Sequence, residues 1–374
     1  MRFSQRSSRA SPQTTSFRQP SRGRFPEHKR RAGRIVSNLR FALPSTGALY
    51  DGTSKLLTDC GLSIRRANSR RYTADIPSLP GVDVLFQRQS DITIEIDGGS
   101  ADIGVVGLDR YLESRLERGD TVLLHEGLGF GNAKLVIAVP DSWLDVTSMA
   151  DLAEIALEFR AKGRDLRIAS KYQRLVKRFL NQNGVNYVTM VHVSGGLEAA
   201  PIMGYADIIA DITATGTTLR ENGLRILVDG TVIESQSVIV GNGRALANDP
   251  EKLANARQIL EKIEASLRAR TYQRVTGDIQ GESEDEVARQ VMTRRELGGL
   301  DGPTISAVHT GKESNWYTVQ VLVRRSDLAE VVSHFRDLGG IGIAANDVQY
   351  VYRDRCETYD RLVENLKPFA ESGD

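Results

Sequence analysis

Cysteine is nearly missing from this chain. Among 374 residues only Cys60 and Cys356 occur, far apart and without C-x-x-C spacing, so neither a disulfide framework nor a zinc site is expected. Histidine is as sparse: His28, His125, His192, His309 and His334 are scattered, and no two stand at metal-ligand spacing. No apolar run reaches the roughly 20 residues a helix needs to span a bilayer, so no membrane is expected as a partner. An excess of either charge is also lacking. Lys and Arg number 49 against 48 Asp and Glu, a formal net charge of +1, which gives no reason to expect nucleic-acid binding. A basic site for an anionic substrate must therefore be built locally.

What is present suits a globular protein. The length implies two or three domains, and 40% hydrophobic with 26% charged residues is ordinary for a soluble chain. Residues 1–37 stand apart: rich in Arg, Ser and Pro, with no acidic residue before Glu27 and no apolar periodicity. They read as a disordered basic tail. The same composition fits sequence upstream of the true start, or an organelle transit peptide. There is no apolar core of a secretory signal, so the expected location is the cytoplasm, with a plastid as the alternative if the segment is a transit peptide.

From residue 39 the pattern alternates strand and helix. Strands are predicted at Leu39–Pro44, Leu62–Arg65, Val82–Gln87 and Ala101–Gly107. Helices are predicted at Asp51–Cys60, from an N-cap at Ser90 to Asp97, and at Asp109–Leu116. The alternation starts afresh after a strand at Lys134–Val139, with helices at 147–162 and 172–183 and strands at Leu166–Ala169 and Val185–Val193. This predicts an α/β fold of two lobes, as in type II periplasmic binding proteins, with the chain crossing between them near 135–140 and 225–240. A ligand cleft is expected between the lobes. A helix at 250–270 follows. From Gly302 two strands, a helix (Asp327–Leu338) and a strand, with turns at Gly311-Lys312-Glu313 and Gly339-Gly340, predict a small ferredoxin-like α+β module. The expected division is 38–138 with 225–298 as the first lobe, 139–224 as the second and 299–374 as the C-terminal module.

The chain is organised around Tyr205–Leu224. A strand over Ala206–Ile212 is followed by Thr213, Ala214, Thr215, Gly216, Thr217 and Thr218, then by helical spacing from Leu219 to Leu224 with Gly223 as its stop. A hydroxyl-rich turn with a glycine, set between a strand and a helix N-terminus, offers outward N–H groups, hydroxyl donors and a favourable helix dipole to a phosphate. Asp211 would repel a phosphate but suits ribose hydroxyls, which need an acceptor. Phosphate with ribose means a phosphorylated sugar. A plain helix cap would use the same threonines; the Asp five residues before the glycine and the Asn222-Gly223 pair are more specific.

Asp211, Thr215, Gly216, Thr218, Leu219, Asn222, Gly223 and Leu224 closely resemble the phosphoribosyl-diphosphate loop of the ATP phosphoribosyltransferases. The likeness extends from residue 39 to about 355, through F-Q-R-Q-S-D-I (86–92), A-D-I-G-V-V-G (101–107), L-G-F-G-N-A-K-L (128–135), A-S-K-Y (169–172) and S-G-G-L-E-A-A-P (194–201). The resemblance implies that adenine N1 of ATP attacks the anomeric carbon of phosphoribosyl diphosphate and diphosphate leaves, the first step of histidine biosynthesis. The protein then supplies alignment and electrostatic stabilisation rather than a nucleophile. It further implies that residues 213–218 hold the 5-phosphate, that Asp211 takes the ribose hydroxyls, and that Glu198 accepts a hydroxyl or faces the cationic sugar. Arg88, Lys134 and Lys171 would serve the remaining phosphates, and Mg²⁺ would ride on those phosphates. The C-terminal module corresponds to an ACT-like regulatory domain that binds histidine as a feedback inhibitor. A homo-oligomer, a hexamer in this family, is the expected assembly.

Two positions depart from the pattern. Ala48 stands where the family has an arginine that can reach substrate phosphates, and Asn132-Ala133-Lys134 replaces the usual x-Cys-Arg. A lysine cannot copy the bidentate clamp of a guanidinium. Ala48 thus motivates a second reading, a non-catalytic ligand-binding or regulatory paralogue. A third, an extracytoplasmic solute-binding protein, leaves the threonine turn without a purpose.

Overall fold

The structure, a computed structural model, describes residues 38–68, 70–193, 195–309 and 315–370. The basic segment 1–37 and the turn expected at Gly311-Lys312-Glu313 lie outside the described residues.

The first lobe is built on parallel strands. Strand β1 (Leu39–Pro44) leads into α1 (Gly47–Asp59); β2 (Thr73–Asp75) and β3 (Val82–Gln87) precede α2 (Gln89–Asp97); β4 (Ile103–Gly107) runs straight into α3 (Leu108–Ser114), and β5 (Thr121–His125) lies at the edge. β1 pairs in parallel with β3 and β4. These strands carry apolar residues on both faces because both are covered. Phe41, Leu43, Ile103 and Val105 enter one buried cluster, Ala42 and Val106 another. Gly104 lets α2 approach, since a Cβ there would lie 2.7 Å from Ile92 Cγ2. The segment 62–65 forms only a single bridge, Arg65 with Asp75, because no neighbouring strand continues the ladder. Ser90 does not cap α2: its hydroxyl donates to Asp91 (2.7 Å), and the helix begins at Gln89 after an extended Arg88.

The chain crosses into the second lobe through 126–132. There β6 (Ala133–Pro140), α4 (Met149–Ala161), β7 (Leu166–Ser170), α5 (Gln173–Gln182), β8 (Val188–Val191), β9 (Ile208–Thr213), α6 (Thr217–Glu221) and β10 (Leu224–Ser235) follow. The sheet order is β10-β6-β9-β7-β8. Gln236 is the return crossing, and β11 (Ser237–Asn242) joins β4 and β5 in the first sheet. The return at Gln236 falls within the expected 225–240, but β10 pairs with β6 from Leu224 to Ser235, so the strand that a lobe division at 225 gives to the first lobe belongs to the second sheet. An apolar strand identifies itself by composition and not by the sheet it joins. The helix expected at Leu219–Leu224 begins two residues earlier, at Thr217, and stops at Glu221, because Leu224 is already in β10 and Gly223, at φ 65°, follows the Asn222 cap.

After α7 (Gly243–Asn248), α8 (Pro250–Ala269) starts with Asp249 accepting the N–H groups of Glu251 and Lys252 at 3.1 and 3.2 Å. Lys252 then reaches the buried Asp102 (2.9 Å), which also pairs with Arg40 (2.8 Å). The α+β module begins earlier than the sequence indicates. β12 (Tyr272–Gln280) and α9 (Glu284–Val291) belong to it, with β13 (Thr304–Ala307), β14 (Trp316–Arg324), α10 (Leu328–Asp337) and β15 (Ile341–Asp347). The order β13-β14-β12-β15, antiparallel throughout, completes a βαββαβ ferredoxin-like module. The last helix, α11 (Glu357–Ala370), leaves it: Leu362 and Leu366 are buried in the core of the first lobe. No helix among the described residues is long and apolar enough to cross a membrane.

Candidate active site

Strand pairing in the second lobe sets the site. β6 and β9 are antiparallel and put Lys134 opposite Thr213; β10 puts Glu234 opposite Lys134. β7 and β9 are parallel with Ser170 beside Ala210, so Lys171 and Asp211 follow at the same level. Beyond Thr213 the turn is held by its own side chains. The Gly216 N–H donates to Thr213 Oγ1 (2.8 Å), the Thr215 and Thr217 hydroxyls lie 2.9 Å apart, and Gly216 sits at φ 72°, where a side chain is strained. Arg220, one turn on, donates to the Thr215 carbonyl (3.1 Å) and the Thr217 hydroxyl (3.2 Å). The turn is therefore shaped before any ligand arrives, with Ala214, Thr215, Thr217 and Thr218 exposed.

Asp211 is half-buried, and one carboxylate oxygen accepts the Ile212 N–H (2.8 Å). Burial raises its pKa above the usual carboxylate value, and the charge of Glu198 adds to that; the Ile212 N–H, Lys171 and Arg110 pull the other way. Asp211, Glu198, Lys171 and Arg110 thus form one electrostatic group. Lys134 is tied to Glu234 at 2.6 Å, and this hydrogen bond lowers the Glu234 pKa. Lys134 and Ala214 line a cleft of about 370 Å³ with Leu108, Asn132, Ala133, Glu234, Ser235 and Gln236. That cleft lies where the chain passes between lobes. Arg88 is exposed at the start of α2, beyond the carboxyl end of β3.

The first lobe contributes Asp109, which sequence reasoning missed. Its carboxylate accepts the Tyr172 hydroxyl (2.7 Å) from the second lobe and the Ser235 hydroxyl (2.6 Å) from the end of β10. Burial and the Asp109 charge both push the Tyr172 pKa up, so the phenol stays a donor. Gly107 makes room for this, because a Cβ there would overlap the Asp109 carboxylate. Glu113 extends the junction by accepting the N–H groups of Arg174 (2.9 Å) and Leu175 (3.0 Å), capping α5 from the other lobe. Tyr172 ends a motif singled out in the sequence. Neither Asp109 nor Arg220 carries a local signal beyond its place after a strand or within the last turn of a helix.

A two-lobed α/β protein with a threonine–glycine turn, a neighbouring acid pair and cations at the lobe boundary has the build of a pentosyltransferase. Comparison with known proteins narrows the class. The ATP phosphoribosyltransferase family model matches residues 88–265, and the model described as HisG, C-terminal domain, matches 269–350. ATP phosphoribosyltransferase 2, chloroplastic, of Arabidopsis thaliana is 36% identical over 88% of this chain and 80% of its own length. The ATP phosphoribosyltransferase of Caulobacter vibrioides is 32% identical over 87% and 97%. That of Chelativorans sp. is 43% identical over 61% of this chain and 98% of itself. This chain belongs to the ATP phosphoribosyltransferase family, in the long form that carries the C-terminal domain.

Proposed function

We propose that the cleft binds phosphoribosyl diphosphate on the turn 213–218 and ATP beside it, and joins them to phosphoribosyl-ATP. The N1–C1 bond forms as the bond from C1 to the diphosphate oxygen breaks, and diphosphate departs with the electron pair. The observation that carries this reading is the preformed turn beside Asp211. Thr213 takes the Gly216 N–H and Thr215 the Thr217 N–H (3.4 Å), Arg220 fixes Thr215 and Thr217, and the exposed threonine hydroxyls meet the 5-phosphate. Asp211 accepts from the ribose hydroxyls. Glu198, close enough to influence Asp211, faces the sugar as positive charge builds at C1. Lys171 and Lys134 serve the phosphates, Lys134 by exchanging Glu234 for a substrate anion, and Arg88 approaches from the first lobe.

Mg²⁺ fits this arrangement as an ion carried by the substrate phosphates, since Asp211 and Glu198 bring hard oxygen donors to the same place. When bound it neutralises the charge of the departing diphosphate. The purified chain mixed with ATP, Mg²⁺ and phosphoribosyl diphosphate should form an adduct absorbing to the red of ATP. Binding of both substrates with no adduct at any pH or salt would make the chain a ligand-binding paralogue.

The ferredoxin-like module is the proposed seat of feedback by histidine, tested by the fall in initial rate as histidine is added. Its edge strand β15, exposed along most of its length, is suited to association into a homo-oligomer, a hexamer on the family expectation. Light scattering with and without histidine measures it. The chloroplastic names of the two Arabidopsis relatives favour the plastid over the cytoplasm. Fusing residues 1–37 to a fluorescent protein decides between them.

A further inference from the structure

Ala48, where the resemblance implies an arginine, has a basic counterpart in the helix that follows the neighbouring strand. β1 and β4 run parallel with Ala42 beside Gly104. Ala48 lies six residues beyond the first of that pair and Arg110 six beyond the second. Both positions therefore follow the carboxyl ends of adjacent parallel strands, the end at which α/β folds hold ligands. Ala48 is exposed and brings no charge. The Arg110 guanidinium stacks on the buried Tyr172 ring with its carbon 4.2 Å from the centroid. Its only ion pair among the described residues is a loose one, Nε to Asp109 Oδ2 at 4.0 Å, too long for a hydrogen bond. The side chain is 22% exposed.

We propose that Arg110 is a substrate-binding residue that clamps the diphosphate of phosphoribosyl diphosphate and replaces the guanidinium absent at position 48. Stacking fixes the plane of the group and leaves its edge N–H donors for a bidentate anion. Its charge is felt at Asp211, on the ribose side of the site, where the diphosphate leaves C1. Arg110 thus meets the leaving group while the threonine turn holds the opposite end of the sugar. Lys171, the other cation whose charge is felt at Asp211, lies on the other lobe. This assignment rests on the pentosyl-transfer reading above.

The test uses the full chain and the variants Arg110→Met, Arg110→Lys and Ala48→Arg/Arg110→Met, with thermal unfolding to check the fold. Arg110→Met should raise KM for phosphoribosyl diphosphate ~10- to 100-fold, the range for losing hydrogen bonds to a charged group, and lower kcat. KM for ATP should stay within about twofold, below the effect of one lost hydrogen bond. Arg110→Lys should lie between, and Ala48→Arg should recover most of the loss. An unchanged KM for phosphoribosyl diphosphate in Arg110→Met, an equal loss for both substrates with lower thermal stability, or no recovery from Ala48→Arg would each overturn the proposal. Absence of turnover in the unaltered chain would instead count against the transferase reading. Calorimetric titration of phosphoribosyl diphosphate into the same variants would then still decide on Arg110, with the same order of affinities expected.

Discussion

The Tyr172 hydroxyl donates to Asp109 at 2.7 Å across the boundary of the two lobes. Ser235, at the last residue of β10 before the return crossing, holds the other oxygen of the same carboxylate. One buried anion therefore joins the first lobe, the second lobe and the connection between them. Such an anion is stable only while its donors are present.

Replacing Tyr172 by Phe keeps the ring under Arg110 and removes one donor from that carboxylate. The expected cost is about 1.5–3 kcal/mol, the range for a hydrogen bond to a charged group, read as a lower midpoint in urea. Stability equal to the unaltered chain would mean that Asp109 finds another donor.

Asp211 titrates above the usual carboxylate value of 3.8, chiefly through burial. In its proposed role the ionised form is the one that only accepts, and binds ribose hydroxyls best, so kcat/KM should fall as pH drops through a value higher than 3.8. Asp211→Asn should lower kcat/KM by about 10-fold or more, since a charge-assisted hydrogen bond is lost, and flatten that acid limb. A limb that persists in the variant belongs to another group.

Glu264 ties α11 to the first lobe. Its carboxylate accepts the Thr358 N–H (2.8 Å) and Arg268 (2.6 Å). Burial alone would push its pKa up, but hydrogen bonds from Thr358, Arg268 and Cys356 outweigh burial and hold it near about 2, against an ordinary 4.5. A pKa depressed by folding contributes stability that is complete above about pH 4.5 and lost as pH falls toward about 2. The stability gap between the unaltered chain and Glu264→Gln should be widest near pH 6 and close over that interval. A gap that does not vary with pH would show that charge is not what Glu264 contributes.

Leu362 of α11 is fully buried in the first lobe. Leu362→Ala should cost about 2–5 kcal/mol by leaving a cavity, measured by chemical unfolding. Deleting everything from residue 300 would strip this helix from the lobe and leave β12 and α9 without their module. Feedback by histidine is therefore better tested by substitutions within β12–β15 than by truncation.

Much of this was legible in the sequence. β1, β3, β4 and α8 stand where apolar runs, periodicity and caps put them, because local pattern and burial agree there. The threonine turn could be read as a turn because glycine at positive φ and hydroxyls at close spacing are local features. Sheet membership was not legible. β10 and β11 are separated by one residue yet lie in different sheets, and β12 looks like a continuation of the lobe before it. The Asp109–Tyr172 bond joins residues 63 positions apart, and nothing near either one announces the other. The reach of Arg110 over Tyr172 escaped notice for the same reason.

The turn 213–218 is proposed to hold the phosphorylated pentose. Calorimetric titration of Mg²⁺–phosphoribosyl diphosphate into the unaltered chain and into Thr215→Val/Thr218→Val tests it most directly. The expected result is ~10- to 100-fold weaker binding in the double variant, as for hydrogen bonds lost to a charged group, with ATP affinity unchanged. Equal affinity in the two proteins would contradict the assignment of the sugar phosphate to this turn.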